Sequence, residues 1–433
     1  MAARWSISAL VSFLLVACAG DRSFNASPLE PTTGQAAIRN SAATHALPPA
    51  TFGIVYSFGR RSDGAYPAAN LLNVSGVLYG TTTCGGVYDK GACVQQTGAG
   101  GTVFRIQPDG KNEHVLHSFG GGSDGSQPWA GLLDVNGTLY GTTQFGGTYG
   151  QGTVFSVSPN GTEIVLHSFG NNQDGAQPVA SLLNVKGTLY GTTLFGGKYA
   201  SGQSIGGTVF SITTSGSERI VHSFGNGTDG SLAAAALIEV KGKLYGTTLY
   251  GGTNDQNNEC CGVVFTVTPS GKETVLLNFG PAGVQNATWD PAAPLVNVNG
   301  TLYGTTEGGG YCSKEYCFGS VFSVTADGNA ATLHEFGMGN DGRTPYSGLT
   351  NVKGTLYGTT PLGGSGSKCC GTVYSITVSG KETVVHPFTG GIGGTNPYAG
   401  LLDVGGSLYG TTYAGGTEKQ KIGGEGTIFS LKP

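Results

Sequence analysis

The most reactive side chains in this chain are its cysteines, and they are placed regularly. Beyond Cys18 there are eight: Cys84, Cys93, Cys260, Cys261, Cys312, Cys317, Cys369 and Cys370. They fall two to a loop in four copies of one loop type, each following a Leu-Tyr-Gly-Thr-Thr segment. An even number of cysteines in an exported chain reads as disulfides. Cys84–Cys93 and Cys312–Cys317 can close short loops locally. The adjacent pairs Cys260-Cys261 and Cys369-Cys370 leave two readings open. One is a bridge between neighbours whose Cα atoms are only about 3.8 Å apart; the other is cross-bridging between loops. A thiolate metal centre would be a third use, but C-x-x-C spacing is missing. No metal and no cofactor is expected.

Other polar residues recur at fixed places. His117, His167, His222, His334 and His386 occupy one repeat position, which Tyr56 and Leu277 fill elsewhere. Because Leu277 does without a polar group, these histidines read as structural, each ring N–H satisfying a loop carbonyl. Asp63, Asp124, Asp174, Asp229 and Asp341 each precede a glycine. That is turn chemistry, Asp bonding nearby backbone and Gly supplying a left-handed residue; the alternating acids of a calcium loop are missing. Aromatic residues give the one hint of a ligand. Trp129, Tyr346 and Tyr398 follow a strand-opening proline, and Tyr66 and Trp289 stand just before one. Such rings offer area and a polar handle for stacking on sugars or anchoring a peptide. Asp290 and Glu307 belong to nearby loops with no evident partner. Glycoside hydrolysis, which needs a carboxylate pair, is therefore disfavoured. Motifs for a nucleophile elbow, zinc hydrolase, phosphate loop or dinucleotide site are missing as well.

These residues are carried by a repeat. Leu-Tyr-Gly-Thr-Thr begins at Leu78, Leu139, Leu189, Leu244, Leu302, Leu356 and Leu408. A period of about 50–60 residues gives units too small to bury a core alone, so they must stack. The unit from Pro128 reads as four short strands. The first two are joined at Asn136-Gly137 and the last two at Asn160-Gly161, both hairpin turn signals. Seven such sheets predict an all-β, seven-bladed β-propeller with four antiparallel strands per blade. The ordered chain opens on Phe52–Phe58, which matches an outermost strand alone, and closes on Gly426–Leu431, which matches a third strand alone. Pooling them in one sheet closes the ring. Short turns then share one face and the long glycine-rich loops the other, where binding is expected.

Composition agrees. The chain has 433 residues, 78 of them glycine, with 11% charged and a net charge of −4. That balance has no electrostatic footprint for nucleic acid. Ile7–Ala17 is an apolar run too short to span a bilayer, ending in Leu-Val-Ala before Cys18. This resembles a lipobox, which makes residues 1–18 a lipoprotein signal with lipidation at Cys18; the alternative is an ordinary signal peptide cleaved near Ala19. Residues 19–50 read as a flexible tether and 51–433 as the propeller. The membrane would be reached only through the N-terminal lipid, placing a monomer in the cell envelope as an outer-membrane or cell-surface lipoprotein, or outside the cell as a secreted protein.

The recurring LYGTT, GG, G-T-V-F, L-H-S-F-G and D-G-x-x-P segments together resemble the tandem repeat called GloVer, found in bacterial exported proteins. The resemblance covers about Phe52 to Pro433. It implies export and the repeat, and it brings no reaction or catalytic residue. The resulting expectation is an exported, lipid-anchored propeller serving as a binding or assembly platform for a polysaccharide, peptide or partner protein on the long-loop face. The alternative is a polysaccharide lyase or glycoside-active enzyme working at the channel mouth.

Overall fold

A computed structural model describes residues 50–60, 62–89, 100–120, 123–171, 173–200, 205–255, 260–280, 288–312, 317–364, 370–417 and 424–433. Cys18, Cys93 and Cys369 lie outside them.

The second blade shows how the sequence makes a sheet. Its strands are Leu133–Val135, Thr138–Thr143, Thr153–Val157 and Glu163–Ser168, hydrogen-bonded in that order. Asn136 and Gly137 both have positive φ, 55° and 84°. This turn geometry matches strand twist, and it pairs Val135 with Thr138 and Leu133 with Tyr140. A bulge between Val154 and Phe155 kinks the outer pair. Six sheets follow this plan. The seventh takes Leu402–Val404, Ser407–Thr412 and Thr427–Lys432 from the C-terminus and Thr51–Ser57 from the N-terminus. The chain is thus a seven-bladed β-propeller closed by its own first strand, as the split terminal units predict. Innermost strands of successive blades adjoin around the axis, so the strand after the proline is the inner one.

Blades hold one another through the LYGTT strand. Leu139 points back to blade one, joining Val103, Phe119, Leu132, Phe155 and Val157. Tyr140 points forward, joining Val154, Phe169, Leu182, Leu189 and Phe210. Alternate strand residues face opposite sides, so each strand serves two interfaces. Gly141 allows the third-strand phenylalanine to lie across the sheet: a Cβ there would sit 2.6 Å from the Phe155 ring. The first threonine donates to the neighbouring inner strand, Thr142 to the Ala180 carbonyl at 3.3 Å and Thr359 to that of Ala399 at 2.8 Å. Thr411 to Ala69, at 3.4 Å, makes this bond across the closure.

Candidate functional site at the channel mouth

Each blade places two residues where its inner strand begins, at the long-loop end of the axis. One precedes the strand-opening residue and adopts positive φ whatever its type; Tyr66, Gln127, Leu232, Asp290 and Asn396 all lie between 53° and 58°. The other directly follows the LYGTT strand. Except in blade six, where Pro361 has no N–H to give, backbone bonds clamp the two together: Thr83 N–H donates to the Tyr66 carbonyl at 3.2 Å, Glu307 to Asp290 at 2.9 Å and Tyr413 to Asn396 at 3.0 Å. Loop geometry is therefore fixed by backbone and repeated, while the side chains are free to differ. A third position, two residues after the first, carries Trp129, Tyr346 and Tyr398.

The mouth is consequently uneven. In blades three and four these places hold Leu194, Leu232 and Leu249, all buried, together with the half-buried Gln177. Opposite them runs an arc of half-buried aromatic rings. Trp129 lies parallel to Tyr413 with centroids 6.2 Å apart, although the two belong to blades two and seven. Blade one, between them, carries only Ala68 at the corresponding position. Tyr66 packs on Tyr413 at 4.9 Å and Tyr398 meets it edge-on at 5.5 Å. Tyr346 continues the line, 5.6 Å from Tyr398, and its hydroxyl donates to Glu307 Oε1.

The arc therefore ends on a carboxyl pair, Glu307 beside Asp290. Burial, then the Glu307 charge and that of Asp255, push the Asp290 carboxyl up to about 8. Burial likewise lifts Glu307 to about 7, against the hydrogen bond from Tyr346. No cation among the described residues offsets either rise. Asp290 Oδ1 and Trp129 Nε1 are enclosed and have no hydrogen-bond partner among the described residues. Desolvation also raises the Tyr413 hydroxyl to about 12, so this ring stays neutral.

Four of the five sequence-derived aromatics, Tyr66, Trp129, Tyr346 and Tyr398, are brought together here. Trp289 lies elsewhere, buried against Gly308, where a Cβ would come within 2.1 Å of its indole nitrogen. Tyr413, the hub of the arc, was not singled out by the sequence reading. Its signal was the position after LYGTT, where residue type changes from blade to blade. The expectation that Asp290 and Glu307 lack a partner is corrected: backbone pairing across the start of blade five makes them neighbours. Sequence separation had hidden this.

The described cysteines flank the same mouth. Cys260 is bonded to Cys261, Cα atoms 3.7 Å apart, and Cys312 to Cys317 at 4.0 Å. Cys84 and Cys370 are disulfide-bonded as well. The carbonyl of Cys261 accepts the Asp290 N–H at 3.2 Å, and that of Cys370 accepts the Asn396 N–H at 3.1 Å. These cysteines thus help fix the mouth residue of the following blade.

The histidines are at the outer rim, away from the axis, and their partner differs from the one expected. His117, His167, His222 and His334 place Nε2 3.0–3.1 Å from Oδ2 of Asp124, Asp174, Asp229 and Asp341. A carboxylate, not a loop carbonyl, meets the ring. The aspartate comes from the Asp-Gly turn, seven residues on, and its other oxygen accepts a backbone N–H such as that of Gly120 or Gly170. One aspartate thereby serves turn and imidazole together.

A closed ring of seven four-stranded blades, its variable residues gathered at one end of the axis, is a β-propeller with a mouth-type site. The chain belongs to the Gloeobacter/Verrucomicrobia repeat family, whose model matches residues 93–310 and again 249–433. No curated protein matches it. Among solved structures, an oligogalacturonate lyase from Vibrio parahaemolyticus is similar, with TM-score 0.50, 7% identity, and 89% of this chain and 97% of that one covered. A 6-phosphogluconolactonase-like protein of Bacteroides uniformis gives TM-score 0.46 and 14% identity, over 73% and 85% of the two chains. At such identities the likeness is one of fold alone.

Proposed function

We propose that the mouth is a carbohydrate-binding site, and that this propeller acts as a glycan-binding module of the cell envelope. The observation that carries this is the continuous arc Trp129–Tyr413–Tyr398–Tyr346 ending on a carboxyl group. Aromatic faces stack on the C–H faces of sugar rings, and a carboxyl beside them takes hydroxyl hydrogen bonds. A rigid scaffold with a partly desolvated, pre-formed arc costs little ordering on binding. The test is calorimetric titration of the propeller with soluble neutral oligosaccharides, for example cellotetraose, after an array has ranked glycan classes. Trp129→Ala and Tyr413→Ala should each weaken binding by roughly tenfold. Binding that neither substitution changes would place the ligand elsewhere.

The Asp290–Glu307 pair gives an enzyme reading its one specific support, since both carboxyls hold protons near neutral pH. Acid–base cleavage of a glycosidic bond, however, uses two carboxyls on opposite sides of the bond. Here both come from the start of one blade, and one is tied up by Tyr346. Release of reducing ends or unsaturated products from the titrated glycans would favour catalysis over binding.

Export by way of a lipid on Cys18 belongs to this proposal and is supported by the Leu-Val-Ala-Cys segment. Cys18→Ala should move the protein from the membrane fraction to the soluble fraction; unchanged fractionation would remove the anchor.

A further inference from the structure

The carboxyl pair goes further than the aromatic arc, because it lacks something. Asp290 and Glu307 are adjacent acids, partly withdrawn from water and backed by a third acid, Asp255. Desolvated carboxyls in proteins are ordinarily paired with a cation. No cation among the described residues acts on these two. Arg343, close in sequence to the mouth residue of blade six, instead lies over the Phe318 ring, 4.6 Å from its centroid. Glu307 has Tyr346 as a donor, whereas Asp290 Oδ1 is enclosed and has no hydrogen-bond partner among the described residues. Next to this uncompensated pair stand Tyr346, Tyr398, Tyr413 and Trp129, whose ring faces carry negative electrostatic potential and attract cations. Acids and aromatic faces therefore call for the same kind of ligand, positively charged with apolar faces.

On the reading of the mouth as a carbohydrate site, we infer that it selects amino sugars: a glucosamine-type residue whose ammonium sits on Asp290 and Glu307 while its ring lies along the tyrosine arc. Stacking and charge pairing are then met by one sugar unit, and neighbouring units extend toward Trp129. N-acetylation would remove the charge and add bulk at the acid end. A neutral glucan would keep the stacking and lose the ion pair.

Proton linkage gives this inference a signature that a purely steric preference lacks. In the free protein the two carboxyls share protons near neutral pH. An arriving ammonium favours the ionised form, so binding expels a proton into the buffer. A neutral sugar has no such effect.

The experiment is titration calorimetry of the intact propeller at pH 6.5, in two buffers of different ionisation enthalpy. The probes are a glucosamine tetramer, an N-acetylglucosamine tetramer, cellotetraose and trilysine. The glucosamine tetramer should bind about tenfold more tightly than the other two glycans, with net proton release. That preference should shrink as salt is raised from 20 to about 500 mM, as expected of a screened ion pair. Asp290→Asn combined with Glu307→Gln should abolish the preference and the proton release. If the double variant does not fold, the salt dependence and proton release of the parent decide. Equal binding of all three glycans, without proton release, overturns the amino-sugar inference and leaves the carbohydrate reading standing. No glycan binding at all overturns both. Trilysine binding as tightly as the glucosamine tetramer, and competing with it, overturns the inference in favour of a basic peptide.

Discussion

Two threonines in each repeat do different work although they are adjacent and both buried. The first hydroxyl leaves its blade: Thr192 donates to the Ala235 carbonyl at 3.1 Å and Thr305 to that of Ser347 at 3.1 Å. The second stays at home, Thr143 meeting Thr153 and Thr193 meeting Thr208 at 2.8 Å each. A strand alternates faces, so one residue must look to the neighbour and the next along the sheet. Valine would suit the strand equally well, but it would leave those carbonyls without a donor in a closed interface, a cost of about 1–3 kcal/mol per buried polar group. The same economy governs the glycine between Tyr and Thr. It is needed for the phenylalanine that lies across it, 2.4 Å from the Cβ it lacks at Gly191. No φ constraint requires that glycine. Packing does.

At the scale of the strand, the rim contacts vary together along the chain. Where a blade has the His–Asp pair, the next outer strand brings a glutamate toward it. Glu163 feels His117 and Asp124, Glu218 feels His167 and Asp174, Glu273 feels His222 and Asp229, and Glu382 feels His334 and Asp341. Where blade four has Leu277, the following strand has Ala330. Where His386 meets no Asp-Gly turn, the next outer strand supplies Phe52, stacked on the imidazole at 3.8 Å. The outer strand is thus matched to its predecessor, which fixes the order of blades. Burial raises these glutamates: Glu163 and Glu273 to about 7 and Glu218 to about 6, with the imidazoles pulling the other way. A raised carboxyl binds its proton more tightly when folded. Its contribution is therefore complete below the ordinary value of 4.5 and is lost as pH rises through about 7. The propeller should accordingly melt at a higher temperature at pH 5.5 than at pH 8. Glu163→Gln, which keeps the shape and stays neutral, should raise the melting temperature by roughly 1–3 °C at pH 8 and change little at pH 5. A Gln variant that melts lower at pH 8 would show that ionised Glu163 is held by His117 and would reverse the sign.

How far this was legible in the sequence depends on the range of the contact. Strands, turns and the count of seven follow from period and local chemistry, because Asn136-Gly137 or Leu139-Tyr140 act on near neighbours. Ring closure was readable from the split terminal units. The aromatic side of the mouth was readable in part, since Tyr346 and Tyr398 share a position after proline. What escaped was set by contact across a blade or between blades. Tyr413 and Trp129 stack although they are far apart in sequence, and Asp290 meets Glu307 through a backbone bond that spans a whole hairpin. The histidine partner was missed because the Asp-Gly turn already had a sufficient local explanation, and one carboxylate serves two roles.

At the scale of the molecule, everything depends on the one sheet that the chain ends share. Thr51–Ser57 pairs with Thr427–Lys432, Gly53 opposite Ser430, with a bulge after Ile54. Phe52 and Ile54 pack with Phe388, Leu401 and Phe429 in the last interface, and Thr411 and Asn70 tie blades seven and one, the latter by accepting the Gly400 N–H at 2.6 Å. A ring opens most easily where its halves are joined only by noncovalent contacts, because the other blades remain linked by chain. If the ring opens there first, a covalent clasp at this sheet should slow unfolding more than an equal gain in contacts elsewhere. Gly53 suits the purpose: a Cβ there meets only Ser430 Oγ, at 3.7 Å, and its φ lies outside the left-handed range. Gly53→Cys with Ser430→Cys should form a disulfide spanning nearly the whole propeller. Such a crosslink removes much unfolded-state entropy and typically contributes about 2–4 kcal/mol. Oxidised, the variant should melt several degrees higher and unfold more slowly in denaturant than the parent, and peptide mapping should show the native cysteine pairs unchanged. Reduction should return both quantities toward the parent values. An oxidised variant that unfolds at the parental rate would place the first opening at another interface. The one to examine next would be that between blades four and five, where Leu277 and Ala330 replace the matched His–Asp and Glu of the rim.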